Sequence, residues 1–124
     1  MNRSTGFTLI ELITVIAILG ALAVIALPRF INLQDEAQAA AVAGVAGSLG
    51  AGAAINLAGA LAGDAAHTSV VDCDDVPATL AEGALPTGYS IASGGLGAAT
   101  GDTASCTLTG PGGFTATFTG YFVP

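Results

Sequence analysis

The sequence predicts an α+β protein. One long N-terminal helix crosses a membrane in its first part and is kinked near Pro28, and a small C-terminal antiparallel β-sheet packs on its second half. Three observations carry this expectation. Phe7 to Leu27 is a 21-residue apolar run with a single charge, Glu11. Alanine, the best helix former, dominates Ala37 to Ala62. Beyond Pro86 the pattern changes to period-two alternation, clearest in Phe114-Thr115-Ala116-Thr117-Phe118, and the turn signal Gly110-Pro111-Gly112-Gly113 precedes it.

Composition narrows the function before any motif is read. Setting the helical part aside leaves about 60 residues, a length that buries a limited core and often needs a staple. The net charge is −7, and Arg3 and Arg29 are the only basic residues. A nucleic-acid partner needs Lys/Arg patches, so none is expected. Anionic lipid is excluded as an electrostatic partner on the same ground. The chain is 52% hydrophobic but lacks Trp, and much of that content is Gly and Ala. Small side chains suit close helix packing better than a large aromatic pocket.

Taken in order, Met1 to Gly6 is short and polar with one positive charge, Arg3. It could open an ordinary secretory signal, but the apolar run exceeds the usual 7–15 residues and no small-x-small cleavage site with a polar sequel follows. Arg3 ahead of the run favours the amino end in the cytoplasm. At about 1.5 Å per residue the run spans roughly 31 Å as a helix, enough to cross a bilayer core. A carboxylate at a bilayer centre costs on the order of 2.5–3.5 kcal/mol, so Glu11 marks function.

These residues carry a family resemblance. Gly6-Phe7-Thr8-Leu9-Ile10-Glu11-Leu12, then Val15-Ile16-Ala17-Ile18-Leu19-Gly20, then Ala26-Leu27-Pro28, resembles the class III signal of type IV prepilins. Phe30 to Ala37 is further similar to pilins of the mannose-sensitive haemagglutinin type. The resemblance implies cleavage after Gly6 by a prepilin peptidase and N-methylation of the new N-terminus, Phe7. The apolar run is then kept, first as a membrane anchor and later as filament core. Cleavage leaves an ammonium at Phe7, four residues before Glu11 and on the same helix face. In a helical stack, that amine could meet Glu11 of a neighbour. Gly20 and Pro28 are two weak points flanking Ala21 to Leu27. By analogy with the family, this segment is expected to lose helical structure on assembly.

Residues 29–62 read as continued Gly/Ala-rich helix ending between 55 and 63. Gly44, Gly47, Gly50, Gly52 and Gly59 each cost about 1 kcal/mol relative to Ala there. The spacing of Gly44, Ser48 and Gly52 makes a small-xxx-small ridge, suited to tight helix–helix or helix–sheet packing in a filament; a flexible connector is the alternative. Asp64 to Pro86 reads as loop, with a helical turn over 79–84. Tyr89–Ile91, Ala104–Thr109 and Phe114–Phe122 read as strands, the last two as a hairpin. The expected divisions are a leader over 1–6, a membrane and filament-core helix over 7–28, a second helical part over 29–62, and a head over 63–124.

Cys73 and Cys106 lack further ligands at zinc spacing. In an extracytoplasmic domain they are expected to pair as a disulfide, with two free thiols as the alternative. The resemblance implies that the loop they close lies on the filament surface. His67 is alone, and no nucleophile or acid–base set accompanies it. The Asp72, Asp74 and Asp75 cluster lacks the calcium-loop pattern and reads as a solvated acidic loop. No cofactor or metal is expected, and no catalysis. The reading is a structural subunit of a type IV pilus, a homopolymer for adhesion or motility. It waits in the inner membrane and is then carried by assembly machinery to the cell surface. The rivals are a minor pilin, a secretion pseudopilin, or a membrane-tethered adhesive module.

Overall fold

A computed structural model describes residues 6–124, so most of the expected leader lies outside the described residues. The chain divides into two compact units, Met1–Glu36 and Ala37–Pro124. Helix α1, Leu9–Leu61, supplies the first unit and opens the second. Helical structure continues through Pro28. The proline removes the bond that the Val24 carbonyl would accept, and the rest of the ladder carries the helix on. The helix ends at a glycine in the left-handed region, Gly63 (φ 80°). The Asp64 N–H donates to Gly59 C=O at 3.0 Å and Gly63 N–H to Ala60 C=O at 3.1 Å, closing the last carbonyls.

In the second unit, α1 buries one stripe: Val42, Ala46, Leu49 and Ala53. Their spacing of four, three and four residues keeps them on a single helical face. Against that stripe lies a three-stranded antiparallel sheet in the order β1 (Ser90–Ile91), β2 (Thr103–Thr109), β3 (Thr115–Tyr121). Register places Cys106 opposite Phe118 and Leu108 opposite Ala116, so the inner face is apolar. Val70, Val76, Leu96 and Val123 complete the core from the loops and the C-terminal end.

The turn between β2 and β3 shows why its sequence is glycine-rich. Gly112 and Gly113 take φ of 74° and 80°, which L side chains rarely adopt. Gly110 is buried, and a Cβ there would run into Val42 and stand 3.0 Å from the Tyr89 ring. Gly120, the last inward residue of β3, is equally confined: a Cβ would lie 2.6 Å from Leu96 and 3.0 Å from Cys106 Sγ. Gly120→Ala is therefore expected to destabilise the second unit by about 1–3 kcal/mol through overpacking, seen as a lowered denaturant midpoint.

Along the Gly44, Ser48, Gly52 ridge, Gly52 lies against another part of the chain, where a Cβ would stand 2.8 Å from Thr79 Oγ1. Gly44 faces open space, and the exposed Ser48 hydroxyl turns back to the Gly44 carbonyl at 3.1 Å. Internal packing uses the neighbouring stripe because Val42 and Leu49 remove more apolar area from water than glycines do. The helical turn expected over 79–84 lies earlier, as a 3-10 helix over Cys73–Thr79. Asp75 sets its start: its Oδ2 accepts the N–H groups of Val71 (3.1 Å) and Asp72 (3.0 Å). This carboxylate of the acidic cluster thus shapes backbone.

Candidate functional site

The site is the apolar first part of α1 and its one carboxylate. Thr8 is the N-cap residue, and Glu11 follows three residues on. The Thr8 N–H and hydroxyl donate to Glu11 Oε2 at 2.9 and 2.7 Å, while the Glu11 N–H donates to Thr8 Oγ1 at 3.3 Å. This is a reciprocal capping box, which satisfies donors that a helix start leaves orphaned. Sequence reading missed Thr8, although Thr8-Leu9-Ile10-Glu11 carries the pattern. The Glu11 carboxylate is therefore held by Thr8.

Behind the cap, thirteen large apolar side chains from Phe7 to Leu27 are exposed, Phe7 by 81% and Leu19 by 59%. Burying one such side chain is worth about 1.5–3 kcal/mol, so leaving them all in water costs on the order of 20 kcal/mol. That exceeds the whole stability of an ordinary domain, about 5–15 kcal/mol. The segment thus requires an apolar environment that the described residues do not supply. Among the described residues, α1 contains the one helix stretch long and apolar enough to cross a membrane. Gly20 stands on this segment with nothing within 4 Å of a built Cβ, and Pro28 follows eight residues later.

In the second unit, Cys73 and Cys106 form a disulfide, with Cα atoms 5.6 Å apart and both residues buried. It ties the start of the 3-10 helix to the centre of β2. The residues after α1 are held by Asn56, which sequence reading also missed. Its Nδ2 donates to Thr68 C=O and its Oδ1 accepts the Thr68 N–H, each at 2.7 Å. His67 takes a structural place: Nδ1 donates to Asp64 C=O at 2.7 Å, and Nε2 lies 3.4 Å from the Pro124 oxygen. Among the described residues, no group of three or more His, Cys, Asp or Glu side chains is placed to hold a metal.

Asp102 is held by its loop. The N–H groups of Ala98 and Ala99 both donate to its Oδ2 at 2.9 Å, and these bonds lower its pKa below the ordinary 3.8. A carboxylate with a depressed folded pKa contributes stability above its unfolded pKa and loses it as pH falls through the folded value. The 97–102 loop should therefore loosen below about pH 3.8, and Asp102→Asn should remove that acid-side component. Thermal midpoints of both proteins between pH 2 and 6 would show whether the curves converge.

Residues 1–27 match the family described as the prokaryotic N-terminal methylation motif. Through this segment the chain is similar to type IV prepilins. It is 58% identical over 40 residues to the type IV narrow pilus major component of Thermus thermophilus, 32% of this chain and 34% of that one. It is 52% identical over 44 residues to the type IV major alpha-pilin of Moraxella bovis, 36% of this chain and 28% of the relative. With the type IV major pilin of Myxococcus xanthus the identity is 62% over 36 residues, 29% of this chain and 16% of the relative. The prepilin likeness thus spans about a third or less of these relatives' lengths. No solved structure matches the chain.

Proposed function

We propose that this prepilin-type chain is the structural subunit of a type IV pilus, with no catalysis of its own. One observation carries the reading: a capped apolar helix that is exposed among the described residues, inside a methylation-motif segment. Lipid covers it first, and the corresponding helices of other subunits cover it in the fibre. A prepilin peptidase cuts after Gly6, Phe7 becomes the methylated N-terminus, and inner-membrane assembly machinery extracts the subunit. Apolar burial is exchanged for apolar burial, so the net driving force per subunit is small.

Cleavage also changes the partner of Glu11. In the precursor its carboxylate holds Thr8; after cleavage the Phe7 ammonium competes for it, from the same chain or a neighbour. Both bonds to the carboxylate are charge-assisted, but the ammonium adds a full opposite charge, whose attraction grows where water is excluded, so the ammonium wins there. The segment between Gly20 and Pro28 then adapts to the packing of neighbours.

Negative-stain microscopy of sheared surface material, with N-terminal sequencing, tests this reading. Thin fibres built of a subunit beginning at methylated Phe7 support it. A fibre-free, membrane-retained protein would replace it with a tethered binding module.

A further inference from the structure

The outward face of the sheet has a composition that the fold does not require. Register sets Ser105 opposite Thr119, Thr107 opposite Thr117, and Thr109 opposite Thr115. Thr103 faces Tyr121 at one end, and Ser90 of β1 faces Thr109 at the other. All nine outward positions of the three strands carry a hydroxyl and none carries a charge. Seven of the nine are exposed; Thr109 and Tyr121 are half-buried. Threonine favours strands, which accounts for some of these residues. Lys and Arg are absent because the chain has none after Arg29; what marks the face is that every carboxylate of the unit lies off it.

The rest of the second unit is charged with one sign. Basic residues stop at Arg29, and six carboxylates lie in this unit, from Asp64 to Asp102. Two copies meeting through any acidic part set carboxylate against carboxylate with no cation to pair them. The hydroxyl face lacks that repulsion. Each hydroxyl both donates and accepts, so the face is complementary to itself. The strand spacing fixes the hydroxyls in rows about 4.8 Å apart across and about 6.8 Å apart along, which reduces the ordering cost of contact.

We infer that this face is a contact surface for a second copy of the chain, joining filaments side by side. The inference rests on the filament reading for its strength. The face is about 20 Å long by 10 Å wide, so one pair buries roughly 400–600 Å², well under the 1,200 Å² of a stable complex. A single encounter is therefore transient. A fibre repeats the face at every subunit, and repetition turns weak contacts into lasting lateral association.

The test places a charge at the centre of the face and another away from it. Thr117→Glu fibres are expected to form in normal amount, with the fraction pelleting at low speed reduced at least fivefold. Thr117→Ser, which keeps the hydroxyl, and Ala78→Glu, on the exposed side of the 3-10 helix, are expected to pellet as the unaltered fibres do. Equal pelleting of Thr117→Glu fibres overturns the inference. A second measurement does not depend on fibres. In detergent, the full chain carrying Thr117→Cys is expected to form disulfide dimers on mild oxidation, and the Ala78→Cys chain is not. Dimers without fibres would sink the filament reading and keep the face. Absent or equal cross-linking overturns the face, as do glycans found by mass spectrometry on the central threonines.

Discussion

Glu11→Ala is expected to reduce assembled, shearable fibre at least tenfold while the precursor stays in the membrane at its normal level. Removing a carboxylate from an apolar span makes insertion easier, so loss of fibre would not reflect loss of subunit. In a filament core the Phe7 ammonium would be left without its counter-charge, and breaking one partner of a buried pair costs about 3–5 kcal/mol. A factor of ten in an equilibrium is about 1.4 kcal/mol, so the expected loss of fibre is well within reach. Thr8→Val separates the two roles that Glu11 could have. It removes the hydroxyl that bonds Glu11 at 2.7 Å but leaves the charge. Losing a cap costs about 1 kcal/mol of helix stability. Fibre from Thr8→Val should therefore stay within a few-fold of normal. Comparable loss in both variants would assign Glu11 to the cap alone. Immunoblots of sheared and membrane fractions give both readouts.

Replacing both Cys73 and Cys106 by alanine is expected to be the largest single blow to the second unit. The bond closes a loop with a sequence separation of 33. In the loop-entropy account that is worth about 3–4 kcal/mol. Against a stability of roughly 5–15 kcal/mol, the fraction lost is large. For a unit this size, 1 kcal/mol moves the midpoint by about 4–8 °C, so a fall of roughly 15–25 °C is expected. Thermal unfolding of the solubilised chain, followed through its tyrosines, measures it. Reduction of the unaltered protein should reproduce the shift once the buried bond is reached.

The first unit was legible because its determinants are local. A 21-residue apolar run holding one carboxylate needs no tertiary partner to be read. The hairpin was legible for the same reason: Thr115 to Phe118 alternate, and the glycines of the preceding turn sit where the backbone requires them. The missed features depend on distance along the chain. Asn56 grips Thr68 twelve residues later, and an asparagine in a helix does not announce a loop as its partner. The stripe of Val42, Ala46, Leu49 and Ala53 is hidden among alanines and glycines that fit every face. The 3-10 helix at Cys73–Thr79 depends on an Asp75 side chain folding back on Val71 and Asp72. The hydroxyl columns are half visible as alternation, but only register shows that Thr107 and Thr117 stand side by side. Thr8 is the exception, a local signal within a motif whose better-known members drew attention away from it.

The disulfide also governs how a subunit answers mechanical pull. If the ends of the second unit are drawn apart, hydrogen bonds such as those between Asn56 and Thr68 yield, and chain pays out. The 33-residue span between Cys73 and Cys106 cannot, which withholds about 110 Å of contour per subunit. In the proposed fibre, a subunit under tension would therefore stop lengthening early and stay taut. A reductant would convert the same fibre into one with hidden length to release.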